Sequence, residues 1–181
     1  MKTYVILLRG VMPTGKNKVP MAELRAALAK AGFEDVQTYI QSGNVIAKSA
    51  LNQSALEQRV HDVIKKRMGG DIAVIARTAE QFRHVLKGNP FPRAETSRLY
   101  FTLLDTRPDA KLAKDFQSTD FSPDDIRVVG DMIYTLYATK LSDSKFNNNF
   151  FERKLKVAAT TRNFNTMTKL VELSAGTVRS P

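Results

Sequence analysis

Val36-Gln37-Thr38-Tyr39-Ile40-Gln41-Ser42-Gly43-Asn44-Val45-Ile46-Ala47-Lys48 holds two short β-favouring runs, 36–40 and 45–48, split by Ser42-Gly43. That dipeptide suits a hairpin turn. Upstream, residues 3–8 form a nearly continuous apolar run, as expected for a central strand covered on both faces. A helix is predicted from Pro20 through Ala31, because proline favours the first helical position, Glu23 sits near the positive end and Gly32 terminates it. Downstream, residues 54–68 carry helical periodicity up to Gly69-Gly70, and residues 72–76 read as a strand. Strand, helix, strand, strand, helix, strand is the ferredoxin-like order.

The order partly recurs. A linking helix at 79–86 and the turn Gly88-Asn89-Pro90-Phe91-Pro92 lead to a strand at 99–104, a helix at 108–116, and strands at 126–129 and 132–137 around Gly130-Asp131. Residues 147–157 and 163–174 then both read as helices with no closing strand, so the repeat lies in element order and not in residue identity. The predicted fold is α+β, with two ferredoxin-like (βαββα-type) subdomains in tandem and antiparallel sheets packed with helices. Their expected limits are residues 1–77, a linking helix and turn at 78–97, and residues 98–176 with an extra C-terminal helix. The tail from 176 to 181 reads as frayed.

With 43% apolar and 25% charged residues in 181, the composition is that of an ordinary globular chain. The absence of cysteine removes disulfides, thiolate nucleophiles, iron–sulfur clusters and the usual zinc sites, so any metal would need oxygen ligands. No cofactor is expected. No stretch near the start is long and apolar enough for a membrane span or a signal-peptide core, which makes a cytoplasmic, membrane-free protein the expectation. The two histidines, His61 and His84, lack catalytic partners nearby in sequence, and His61 falls on the polar side of its helix beside Glu57 and Lys65.

The formal charge of +10 divides unevenly, with +7 in residues 1–90 and +3 in residues 91–181. Such an excess raises the expectation of an anionic partner. The most site-like segment is the loop from Arg9 to Lys18, in which Gly10 and Gly15 admit positive backbone angles while Arg9, Lys16 and Lys18 supply charge. In an antiparallel βαββαβ sheet the end of the first strand lies beside the start of the third. The loop should therefore meet the turn Gln41-Ser42-Gly43-Asn44, with Arg9, Lys16 and Asn17 near Gln41, Ser42 and Asn44. Arg162, just before the last helix, and Lys169, within it, are second-rank additions to an anion site if that helix folds back, while Thr or Asn in Thr160-Thr161-Arg162-Asn163 would cap it.

Two specific motifs fail. Residues 10–17 nearly match the phosphate-binding loop G-x-x-x-x-G-K-[ST], but Asn17 stands where magnesium wants a hydroxyl and Val19-Pro20 delays the helix past the lysine. An RNA-recognition sheet needs aromatics on its two central strands, and the first unit offers only Tyr4. Tyr100, Tyr134 and Tyr137 suit core packing better. From Lys145 onward, 7 basic residues face 2 acidic ones, a local basic surface.

On Leu7-Leu8-Arg9-Gly10, Gly15-Lys16-Asn17-Lys18, Thr38-Tyr39-Ile40-Gln41-Ser42-Gly43-Asn44, Asn89-Pro90-Phe91 and Thr161-Arg162-Asn163, the chain resembles the bacterial domain of unknown function 1697 family. Met12 to Thr14 departs from the Asn-Val-Gly common there. The resemblance implies two ferredoxin-like subdomains and no particular activity. The expected function is binding of nucleic acid or a phosphate-bearing small molecule through Arg9, Gly10, Gly15, Lys16, Asn17, Lys18, Gln41, Ser42 and Asn44. The alternatives are an enzyme acting on a small phosphorylated substrate and a protein-docking module.

Overall fold

A computed structural model describes residues 1–176; residues 177–181, within the tail read as frayed, lie outside the described residues. The chain divides into two compact units, one of Met1–His84 with the segment from Lys169 onward, the other Val85–Thr168.

In the first unit, strands β1 (Lys2–Leu8), β2 (Glu34–Tyr39), β3 (Asn44–Ser49) and β4 (Val74–Thr78) form an antiparallel sheet of order β2-β3-β1-β4. Helices α1 (Met21–Lys30) and α2 (Gln53–Met68) occupy the two crossovers. Leu24 and Leu28 of α1, and Leu56, Val60 and Ile64 of α2, recur at helical spacing and are buried with Tyr4, Ile6 and Leu8 of β1 in one core. Val5 and Leu7 point to the opposite face and are also fully buried. The apolar run therefore does encode a strand covered on both sides. The Asn52 side chain caps α2 by accepting from the Ala55 amide, and Gly69 closes it in the left-handed conformation at φ 74. β2 stops at Tyr39 and not at Ile40, which enters the turn at φ 49.

The second unit repeats the plan. β5 (Leu99–Leu104), β6 (Asp125–Val129), β7 (Met132–Leu136) and β8 (Ala159–Asn163) form an antiparallel sheet of order β6-β7-β5-β8, with α4 (Ala110–Gln117) and α5 (Asn148–Leu155) as crossovers. Phe116, Phe121, Phe146 and Phe151 fill its core against Leu104, Ile126, Ile133 and Ala159. Helices α3 (Ala79–Lys87) and α6 (Phe164–Ser174) follow directly on β4 and β8.

β8 corrects the expectation that the second unit has no closing strand. Ala-Thr-Thr-Arg-Asn lacks an apolar alternation, yet it pairs with β5 from Leu104↔Ala159 to Tyr100↔Asn163. Its hydroxyls are satisfied across the ladder: Thr161 Oγ1 lies 2.7 Å from Thr102 Oγ1 and 2.5 Å from Asn148 Oδ1. Residue identity also recurs where none was expected. Arg77 in β4 faces Val5 and Arg162 in β8 faces Phe101, and each arginine Nη1 donates to the carbonyl just before it, Ala76 at 2.7 Å and Thr161 at 2.9 Å. The next residue in each case caps the following helix, Thr78 through its hydroxyl to the Gln81 amide and Asn163 through its amide oxygen to the Thr166 amide. At the sheet edges, Glu57 accepts from the Ala76 amide of β4 at 2.8 Å and Glu152 from the Ala159 amide of β8 at 2.9 Å.

Candidate functional site

The loop after β1 and the turn between β2 and β3 share one end of the first sheet. Register places Leu7 opposite Asn44, and the Leu8 amide donates to the Gly43 carbonyl at 2.8 Å. Gly43, at φ 80, is pressed so closely that a Cβ there would stand 2.8 Å from both Leu8 Cβ and Val11 Cγ2. Only glycine fits both constraints. The Arg9 amide donates to the Ala73 carbonyl at 3.0 Å, bringing the entry to β4 to the same rim.

Within the loop, the Met12 amide donates to the Asn17 carbonyl at 2.9 Å and the Lys18 amide to the Gly15 carbonyl at 3.2 Å, while Met12 and Lys18 form a parallel bridge. Gly10 and Gly15 take the expected positive angles, φ 72 and φ 77. The loop is thus a small closed ring and not a cradle of inward amides. Lys16 lies five residues ahead of Met21, where α1 begins after an extended Pro20. A nucleotide-phosphate loop places that lysine at the helix start, so the near-match is confined to sequence.

The polar residues of the turn are committed to building the rim. Gln41 Nε2 donates to the Val19 carbonyl at 2.9 Å, tying the turn to the end of the loop. Asn44 is fully buried, and its Nδ2 donates to the Tyr39 carbonyl at 3.1 Å and to Ser42 Oγ at 2.9 Å. Lys16 and Lys18 are exposed, and neither makes an ion pair among the described residues. Arg9 and Asn17 are half-buried. α1 directs its N-terminus to this same end, where a helix carries partial positive charge. The arrangement concentrates cations on a rim whose geometry is locked from beneath.

The second-rank residues belong to different units. Arg162, in the second unit, donates to Thr160 Oγ1 at 2.8 Å as well as to the Thr161 carbonyl, and burial pulls its guanidinium down to about 10. It stays cationic at neutral pH. Lys169, in the first unit, pairs with Glu172 at 3.2 Å. His61 is held by Asp71, with Nε2 to Oδ1 at 2.7 Å, and that bond raises its pKa above the ordinary 6.5; it is a helix-end contact more than a freely solvated side chain. Among the described residues no cluster of three or more His, Cys, Asp or Glu could hold a metal, and no helix is long and apolar enough to cross a membrane.

A second basic surface was legible only as charge. Lys145, Arg153 and Lys154 lie around the rings of Phe146 and Phe150. The signal was the spacing Lys-Phe-Asn-Asn-Asn-Phe-Phe-Glu-Arg-Lys, in which the aromatics interleave with the cations.

Residues 1–134 match the family described as Protein of unknown function (DUF1697). The chain belongs to this family. The matched span ends before β8, so the Thr161-Arg162-Asn163 part of the resemblance lies beyond it. The chain is also similar in fold to the conserved bacterial protein SP0830 from Streptococcus pneumoniae, with 24% identity and a TM-score of 0.76 over 96% of this chain and 98% of that one. None of the curated proteins matches. Among DUF1697 features, the Thr-Tyr-Ile-Gln-Ser-Gly-Asn string has a structural explanation here, since its Gln, Ser, Gly and Asn together fasten the β2–β3 turn to the loop after β1.

Proposed function

We propose that the first unit binds a phosphate-bearing anion at the rim where the residue 9–18 loop meets the 41–44 turn. The observation that carries this reading is the Leu8–Gly43 bond, which holds the two segments together beneath exposed Lys16 and Lys18, neither of them in an ion pair among the described residues. Arg9, Lys16 and Lys18 supply charge, with the α1 N-terminus behind them. Gly10 and Gly15 shape the loop at positive φ, and the half-buried Asn17 is assigned to orient the ligand through its amide. Gln41, Ser42 and Asn44 orient the ligand, with Gln41 and Ser42 exposed at the rim that Gln41 Nε2 and Asn44 Nδ2 help to fasten.

The test is thermal unfolding in the presence of inorganic phosphate, pyrophosphate or a short RNA, at about 50 and 200 mM salt. A ligand at a hundred times its Kd stabilises by about 2.7 kcal/mol, a measurable rise in melting temperature. The reading expects stabilisation of the native protein and its loss in Lys16→Ala/Lys18→Ala. Stabilisation by RNA that collapses between the two salts identifies nucleic acid, whereas stabilisation by pyrophosphate that persists identifies a small ligand. No shift with any of the three, or an equal shift in the double variant, overturns the proposal.

A further inference from the structure

The second unit carries its own cationic groove, built mainly from residues 145–154 and bordered by Thr119 and Asp120. Asn147 caps α5 by accepting from the Phe150 amide, and the helix turns Phe151 and Leu155 into the core. Phe150, one position round, stays half-buried and meets the buried Phe146 edge-on with ring centroids 5.0 Å apart. Lys145 Nζ lies 5.1 Å from the Phe146 centroid; Arg153 Cζ and Lys154 Nζ lie 5.6 and 5.9 Å from that of Phe150. These groups border an open groove of about 520 Å³, within the 300–1,000 Å³ usual for ligand sites.

The charges of this groove are not consumed by the fold. Lys145, Arg153 and Lys154 are exposed, and none forms an ion pair among the described residues. Asp120 is the carboxylate that borders the groove; its Oδ1 accepts from the Ser122 amide at 2.9 Å, and the Ser122 bonds, with a smaller pull from Lys145, hold it below the ordinary carboxylate range. Glu152, on the same helix, accepts from the Ala159 amide. The groove therefore keeps a net positive charge beside an accessible phenyl ring.

We propose that this groove binds single-stranded nucleic acid, with phosphates on Lys145, Arg153 and Lys154 and a base against Phe150. Both halves of the surface are needed for that ligand, since stacking platforms interleaved with cations are the physical basis of single-strand recognition. An inorganic anion would use only the cations, and an acidic peptide brings no extended π surface to the ring. The groove is lined wholly by residues of the second unit, so its occupancy does not depend on the reading of the rim.

The experiment is fluorescence anisotropy of the full chain with a labelled single-stranded oligonucleotide, across a salt series and against unlabelled duplex of the same sequence. Four proteins are compared: the native chain, Lys145→Ala/Arg153→Ala/Lys154→Ala, Phe150→Leu, and Lys16→Ala/Lys18→Ala. Removing three phosphate contacts should weaken binding at least tenfold and flatten the salt slope by about 2, since each contact to a single strand contributes about 0.7. Phe150→Leu should weaken binding roughly fivefold or more while leaving the salt slope unchanged. The triple variant alters only exposed side chains, so it remains decisive even if Phe150→Leu unfolds. No binding at low salt, duplex competing as well as single strand, or an unchanged triple variant overturns the proposal. Lys16→Ala/Lys18→Ala reports on the rim in the same assay; if it loses binding while the triple variant keeps it, the rim and not this groove holds the oligonucleotide.

Discussion

Gly43 concentrates two demands in one residue, a left-handed backbone and the closest approach of the β2–β3 turn to β1. Gly43→Ala is expected to lower stability by about 2 kcal/mol or more, since a non-glycine residue held at positive φ costs about 1–3 kcal/mol before the overlap with Leu8 and Val11 is counted. Urea denaturation with an unchanged m-value checks this. Thr161 is the polar counterpart: its hydroxyl joins the buried Thr102 to the half-buried Asn148, so Thr161→Val should cost about 1–3 kcal/mol by removing the partner both share. In a double-mutant cycle with Thr102→Val the two losses should be less than additive. Such hydroxyl pairing explains why β8 escaped a reading based on apolar periodicity, for the partners sit 59 residues apart in sequence. The convergence of the two loops was legible, because a hairpin between the second and third strands dictates it. The bonds by which Gln41 and Asn44 fasten that turn were not, because the carbonyls they reach are set by the folded loop and not by neighbouring residues.

At the scale of elements, α2 ends in Lys65, Lys66 and Arg67, and just before that end His61 reaches Asp71 beyond the glycines. Folding raises the His61 pKa through this bond, so its contribution is fully present below about pH 6.5 and disappears as pH rises through the higher folded value. The same bond, with Lys65, holds Asp71 below its ordinary carboxylate range, and that contribution disappears as pH falls through the depressed value. The contact therefore stabilises most between the two. Melting temperatures of the native chain and His61→Ala should differ at pH 5.5 and converge above pH 8. The closing strands make a second comparison. Arg77 and Arg162 occupy matching places and bond to the carbonyl behind them, so Arg162→Lys, which keeps the charge but loses the planar fork, should destabilise by about 1–2 kcal/mol in chemical denaturation. The resemblance of Ala76-Arg77-Thr78 to Thr161-Arg162-Asn163 is faint as text and becomes plain once both are aligned on their sheets.

For the whole molecule, the two units use one backbone plan to carry different surfaces. The Leu8–Gly43 and Arg9–Ala73 bonds of the first are matched by Leu104–Asp131 and Asp105–Ala158 in the second. A cation thus stands at a point where the other unit has an anion, whose Oδ1 accepts from the Ala158 amide. The strand-end position is fixed by the fold and its charge is left open, which accounts for a cationic rim in one unit and a groove beside α5 in the other. Family membership and the α+β plan follow from the sequence, while a basic surface could be located but not apportioned between these two places until the ion pairs were known.

The carboxylates of Glu57 and Glu152 bear on how this protein behaves when concentrated. An outermost strand offers a row of amides to any passing chain, and here a helix reaches over to occupy one such amide on β4 and one on β8. Exchanging both glutamates for alanine would uncover these templates, and light scattering should then report self-association at concentrations where the native chain remains dispersed.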